Sequence, residues 1–413
     1  MSIPLERQVS EILLKVQGYS VESLSEVEHR GRKQIHVRLN SLYPPRCRMC
    51  GQELPIYDTR ERYIHHASIL CYAIVLILKM RRTNCPCCGI KTEHQSIAEG
   101  KKRHSKHLEN CVLQYTYKLD NKSTARLLGY SISSIYRIDK AGLEKLELGL
   151  QAKTPKMKHL SIDETAYKKH HHYATVLTNQ EDSRVVDLCL GKSKESAKSL
   201  FHKYSDKLDW LETVAMDFSQ SYISATTEYF AEHYIVFDKF HFSQYVNRCL
   251  EQVRRMIQRA LPDDLRYQSK KYSRWLVLRR ASNMNQNHLD RLEQLKSDNT
   301  DLFDAYLLKE ELLSIFGVEV GKEDARKLLL EWCEMANNTK FYPFHKLAKS
   351  IQSKLKLLLN WFDTHLSNAK AEAVNNVIKV LIRRAYGYKD FEYFRLKVLQ
   401  RCGYLMDVLT HSN

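Results

Sequence analysis

The chain has little of what builds linkers and tails. Proline occurs 8 times and glycine 13 times in 413 residues. No low-complexity stretch or internal repeat is present either, so long flexible connections are not expected. Long apolar runs are missing too. The longest, Ile69 to Leu78, falls far short of the ~20 residues that a membrane-spanning helix needs. The stretch Met1 to Ser20 carries Glu6, Arg7, Glu11 and Lys15, which is no secretory signal. A cytoplasmic, nucleoid-associated location is expected. Negative charge is in deficit, because 48 Asp and Glu stand against 65 Lys and Arg, a net charge of +17. The basic residues run along the whole chain rather than in a tail. That distribution favours a polyanion contacted over a broad surface, nucleic acid above all. With 43% hydrophobic and 27% charged residues, the chain is globular. It is long enough for two or three domains.

What it does have is cysteine, 11 in all. In a cytoplasmic chain these point to metal ligands and buried thiols rather than disulfides. Cys47 and Cys50 form one Cys-x-x-Cys knuckle and Cys85 and Cys88 a second, each followed by a glycine, Gly51 and Gly89. Glycine there allows a tight turn that aims backbone amides at thiolates. Four thiolates in a tetrahedron make a structural Zn2+ site. Cys87 is an alternative ligand to Cys85 or Cys88, and His65, His66 and His94 are weaker candidates. The stretch between the knuckles alternates and is rich in β-branched residues, so it reads as strands. Cys71, Cys111, Cys189, Cys249, Cys333 and Cys402 are scattered and read as buried thiols.

Residues 106 to 146 read as helical, with a helix-turn-helix pattern inside them. Ser123 is expected to begin a helix with Ala125, Leu127 and Leu128 inward. Gly129 permits the turn, and Ser131 caps a second helix holding Ile135, Arg137 and Ile138. Ser133, Ser134, Tyr136 and Arg137 would then reach a DNA major groove.

From 159 the period becomes two. Three short strands, a helix, a strand, a helix, another strand and a long basic helix follow one another. This βββαβαβ order is that of a ribonuclease-H-like α/β core, a mixed sheet with helices on its faces. Asp163 falls in the first strand and Asp217 ends the fourth, its neighbour in that topology. Glu372 lies on a later helix, on one side with Asn375, Asn376, Lys379 and Arg383, opposite Val374, Val377, Ile378, Leu381 and Ile382. One acid on a stripe of amides and cations suits a metal ligand beside a phosphate backbone. Three carboxylates can hold two Mg2+ (or Mn2+) ions for an in-line phosphoryl displacement. Asp163, Asp217 and Glu372 are therefore the candidate catalytic and Mg2+-binding residues, with Asn375, Asn376, Lys379 and Arg383 on the DNA. Asp238 rivals Asp217, and it stands with His241 near the site or behind it. Glu164 should point to the other face of the strand. Asp187 has no evident partner, and His170, His171 and His172 read as a hairpin turn.

Residues 240 to 365 read as almost wholly helical. Arg248, Arg254, Arg255 and Arg259 on the basic helix are candidates for tracking phosphates. Trp275 and Trp332 read as core anchors, with a wedge against an unstacked base as the alternative. The domain division is 1–100 for a zinc-ribbon-like module, 101–150 for the helix-turn-helix, and 155–413 for the catalytic domain, with a large helical insertion at roughly 260–355.

Several ordered motifs carry a resemblance. CRMCG with RRTNCPCCG, the helix-turn-helix, LSIDETAYKKHHHYATVLTN, VAMDFSQSYISA, IVFDKFHF, YLLKEELLSIF and LSNAKAEAVNNVIKVLIRRAYGY resemble, over nearly the whole chain, the bacterial insertion-sequence transposases of the IS-L-three family, of the DDE class. Ala373 stands where many members have Gly. The resemblance implies Asp163, Asp217 and Glu372 as the catalytic acids. It also implies Mg2+-dependent cleavage and strand transfer at terminal inverted repeats, ends held by the zinc and helix-turn-helix modules, and a dimer or larger assembly in synapsis with target DNA. Two other readings are a non-catalytic DNA-binding regulator and a ribonuclease-H-like nuclease that cuts without joining.

Overall fold

The computed structural model describes residues 14–29, 31–69, 72–168, 172–261, 274–364 and 369–411. Cys71, His170 and His171 lie outside them.

The N-terminal unit is a five-stranded sheet of β1 (Tyr19–His29), β2 (Arg32–Ser41), β3 (Ile56–Ile69), β4 (Tyr72–Cys85) and β5 (Gly89–Thr92), in the order β1-β2-β4-β3 with β5 on β4. Its core comes from alternate residues such as Val37, Leu39, Ile64, Leu76 and Leu78. Three helices follow, α1 (Lys106–Lys118), α2 (Asn121–Leu128) and α3 (Ile132–Glu147). They bury Leu108, Val112, Ala125, Leu128, Ile135 and Ile138 together. α2 begins two residues before Ser123, because the Asp120 carboxylate accepts from the Ser123 N–H and caps it. Gly129 sits at φ 74° in the turn, and the Ser131 side chain caps α3. Leu127 is not inward but exposed; Thr124 takes the buried place.

The second sheet holds β6 (His159–Lys168), β7 (His172–Asn179), β8 (Arg184–Leu190), β9 (Thr213–Met216) and β10 (Ile235–Phe237), in the order β10-β9-β6-β7-β8. β6, β7 and β8 run antiparallel, while β9 and β10 run parallel to β6. Helices α4 (Lys194–Lys203) and α5 (Gln220–Tyr229) separate the later strands, and α6 (Lys239–Ala260) leaves the last one. A helical body then intervenes, α7 (Gln286–Asp298), α8 (Thr300–Ile315), α9 (Lys322–Asn337) and α10 (Tyr342–Ser353). Trp332 is its fully buried anchor and donates to the Leu308 carbonyl at 2.9 Å. Trp275, by contrast, is 72% exposed, with the Arg274 guanidinium 5.3 Å from its ring centre. The basic helix is also less free than its composition implies. Arg254 is buried and bonded to Glu251 and Gln258, so it is unavailable to a phosphate.

The chain returns through α11 (Ala369–Arg384) and α12 (Phe391–Cys402), and α12 ties the core to the helix-turn-helix. Lys397 bonds Asp139 of α3 at 3.1 Å and the Thr116 carbonyl of α1 at 2.9 Å. The Tyr393 hydroxyl donates to Asp139 at 2.6 Å. Arg395 reaches Glu147 at 2.7 Å and grips Asp187 with two hydrogen bonds, 2.6 and 2.9 Å. Asp187 is thus not partnerless. It is buried and also takes Lys203 at 2.7 Å and Tyr204 at 3.1 Å. Removing it strips the buried Arg395 guanidinium of its one fully buried counter-charge and leaves only the part-exposed Glu147 and the exposed Glu392. Asp187→Ala is expected to cost about 3–5 kcal/mol in chemical unfolding, whereas a loss below about 1 kcal/mol would show that the network holds little of the fold.

Candidate active site and metal centre

Strand register brings the first acids together. Ser161 on β6 pairs with Ala215 on β9, and Met216 on β9 pairs with Phe237 on β10. Two residues beyond the first pair stand Asp163 and Asp217, and one beyond the second stand Asp217 and Asp238. Three carboxylates therefore lie at one level, Asp217 and Asp238 just past the ends of β9 and β10 and Asp163 midway along β6, beyond its parallel pairing with β9, with neighbouring strands about 4.8 Å apart. The C-terminal edge of parallel strands is where open α/β sheets place their chemistry.

Each acid is held differently. Asp163 is largely buried. It accepts from the Glu164 N–H at 2.7 Å and from the Asn375 amide of α11 at 2.6 Å. Asp217 accepts from the Ser219 N–H at 2.9 Å, which turns the chain into α5. Asp238 caps α6 through the Phe240 N–H at 2.9 Å. His241, one turn into α6, stands 3.9 Å from Asp163 and 3.6 Å from Asp238. Burial raises the Asp163 pKa, opposed by His241 and the Glu164 N–H, and repulsion from Asp217 and Glu164 pushes it further up. Burial also raises the Tyr222 hydroxyl pKa, with Glu164, Asp217 and Asp163 pushing the same way. A buried carboxylate whose charge is disfavoured beside a second acid is what a divalent cation relieves. Glu164 turns aside to Lys192 at 3.2 Å.

Glu372 is not closed onto this group. It is exposed, one helical turn before Asn375 on α11. Among the described residues, only the four cysteines form a set of three or more ligand groups mutually within 4.8 Å. Asn375 itself departs from its expected place on DNA: it is buried against Asp163. Asn376, Lys379 and Arg383 are exposed on α11. Val374 and Ile378 are buried as the periodicity predicts, but Val377 is 39% exposed. One residue at the site carries no sequence signal. Lys354 donates to the Phe218 carbonyl at 3.0 Å. Burial lowers its pKa, and the Asp217 carboxylate works against that.

The cysteine set fits zinc. Four sulfurs about 2.3 Å from one ion lie roughly 3.8 Å apart, and the sulfurs of Cys50 and Cys85 are 3.6 Å apart. Cys47, Cys50, Cys85 and Cys88 make up the group; the exposed Cys87 and the histidines stand outside it. Gly51 at φ 77° and Gly89 at φ 71° supply the turns. Amides of Cys50 and Met49 draw the Cys47 thiol down to about 7, while burial and the neighbouring thiols push Cys88 up to about 12. Four thiols this close cannot all ionise without a cation among them.

On the helix-turn-helix, Ser133 and Arg137 are exposed on the N-terminal half of α3 and Ser134 is half-buried. Tyr136 faces the core instead of a groove. Its hydroxyl donates to Asp390 at 2.9 Å, and its ring meets Tyr393 edge-on at 4.7 Å.

Residues 160–398 match a family model described as "Transposase". The transposase for insertion sequence element IS1001 of Bordetella parapertussis is 28% identical over 402 residues, which cover 95% of this chain and 98% of that protein. The transposase for insertion sequence element IS1557 of Mycobacterium tuberculosis is 22% identical over 390 residues, 86% of this chain and 85% of that one. A solved Drosophila P element transposase strand transfer complex aligns at a TM-score of 0.41 and 10% identity, over 75% of this chain and 94% of that one, too slight a likeness to carry weight. Matched over more than half of its length by that family model, the chain belongs to the IS-L-three family of DDE transposases.

Proposed function

We propose that this transposase cuts and joins DNA at the terminal inverted repeats of an insertion sequence, with Asp163, Asp217 and Glu372 as its catalytic acids on a ribonuclease-H-like core. The register of Asp163 beside Asp217 carries the reading, because it lays two carboxylates side by side where the parallel pairing of β6 and β9 ends. Bound Mg2+ would supply a polarised phosphoryl oxygen and an activated nucleophile. Asp163 and Asp217 hold the cation side of the site, and Asn375 fixes the orientation of Asp163. Glu372 completes the set when α11 and DNA close on the strand edge. Asn376, Lys379 and Arg383 present an amide and two cations to the phosphate backbone. Ser133 and Arg137 read the end of the element, steadied by the zinc module, and two such ends require at least two chains.

Purified protein incubated with labelled DNA spanning one end of its element, plus Mg2+, is expected to yield joined products. Binding alone would favour a regulator, and nicks without joints would favour a nuclease. Asn375→Ala is expected to lower the joining rate by about tenfold, in the range of ligand-orienting partners, with DNA affinity unchanged. A fall in DNA affinity instead would return Asn375 to the phosphate contacts.

A further inference from the structure

A cavity of about 1000 Å³ opens between the helix-turn-helix and the C-terminal end of α11. Its floor is apolar. Ile132 of α3 and Val377 and Val380 of α11 line it, all 39% exposed or more. At its mouth stands Tyr386, 98% exposed, on backbone at φ 54°. A bulky residue rarely adopts that conformation, and here it ends α11 and turns the ring outward. Around the opening lie Lys118, Lys122, Arg384, Lys389 and Arg401. None of these five cations has a carboxylate in ion-pair range among the described residues. The two acids of the lining are engaged, Asp120 capping α2 and Asp390 taking Lys140 and Tyr136.

A duplex offers phosphates and base edges, and neither fills an apolar hollow. An unpaired nucleotide offers both a flat apolar face and a phosphate. The position agrees. One wall begins at the start of α3, and the other is the helix that carries Glu372 and Asn375 toward Asp163. A strand running from the helix-turn-helix to the acids crosses this opening. We infer that the groove between α3 and α11 binds an unpaired stretch of DNA, with a base stacked on Tyr386 and its phosphates on the five surrounding cations. This rests on the transposase reading above and adds to it a site for single-stranded DNA.

The test is fluorescence anisotropy of the full chain with two probes, a short oligothymidylate and a blunt duplex. Tyr386→Ala is expected to weaken oligothymidylate binding by about five- to a hundredfold, the range of one base–aromatic stack. Duplex binding should stay within about twofold, and Tyr386→Trp should restore the single-strand affinity. Val380→Glu, which puts a like charge on the floor, should act as Tyr386→Ala does. Unchanged oligothymidylate binding in both Tyr386→Ala and Val380→Glu would overturn the inference. So would a change of oligomeric state in those variants with single-strand binding intact, which would make the groove a contact between chains. The joining assay with Asp163→Asn reads the catalytic proposal separately, since Asp163 does not line the groove.

Discussion

Asp163→Asn is expected to slow Mg2+-dependent strand joining by at least about a thousandfold, and at the same time to raise the thermal midpoint of the metal-free protein. Both effects have one cause. Asp163 is largely buried midway along β6, with Asp217 at the same level just past β9, so its charged form is disfavoured. Its folded-state pKa lies above the unfolded one. The native state therefore keeps that proton longer, stability falls as pH rises through the window between the two values, and the ionised group remains a cost at neutral pH. Asn is nearly isosteric and carries no charge, so it removes the cost and with it a ligand for the cation. DNA affinity should stay within about twofold, because the exposed cations lie elsewhere. Joining retained by Asp163→Asn would remove Asp163 from the catalytic set. A less stable metal-free variant would mean that the carboxylate's hydrogen bonds to Asn375 and Glu164 outweigh its burial.

The second large effect concerns zinc. Cys85→Ser should abolish the one tightly bound Zn2+ per chain and lower affinity for element-end DNA by at least about tenfold. Cys85 is buried at the end of β4 and pairs with Gly89 at the start of β5. The cation would join that turn to the Cys47–Cys50 loop, which no regular strand connects to it. Apparent binding energies of structural zinc in small modules reach about 10–16 kcal/mol, so its loss frees both loops. The sheet core beneath them, Val37, Leu39, Ile64 and Leu76, has apolar burial of its own and should stay folded. Metal analysis of the wild type and of Cys85→Ser, beside binding of labelled end DNA, decides it. A metal-free wild type purified without chelator, or a variant that keeps its zinc, would contradict the assignment.

Much of this was legible because local signals agreed with tertiary fate. β6, β7 and β8 alternate, Gly129 and Ser131 mark a turn and a cap, and two spaced Cys pairs announce a metal knuckle. β1 and β2 are harder to see, since β1 is mostly exposed and is held by its pairing with β2 and by Tyr19 and Val21 at one end, which pack on the sheet core. Three misplaced residues share a cause, contacts between distant segments. Asp187 finds Arg395, 208 residues later. Asn375 turns from the expected DNA face to Asp163, 212 residues earlier, and Tyr136 turns to Asp390. Arg254 is neutralised within its own helix by Glu251. Trp275 and Leu127 show that an apolar side chain on a helical repeat is not thereby buried. The groove beside Tyr386 had no sequence signature, because it forms between elements far apart in the chain.

Whether Asp163, Asp217 and Glu372 share metal ions is tested most directly by anomalous diffraction from the protein bound to its element-end DNA and soaked in Mn2+. Two peaks roughly 3.5–4 Å apart, bridged by Asp163, with Asp217 on one side and Glu372 brought onto the other, are the expected result. Peaks ligated by Asp238 in place of Asp217, or a Glu372 carboxylate still remote from both ions in the DNA complex, would contradict it.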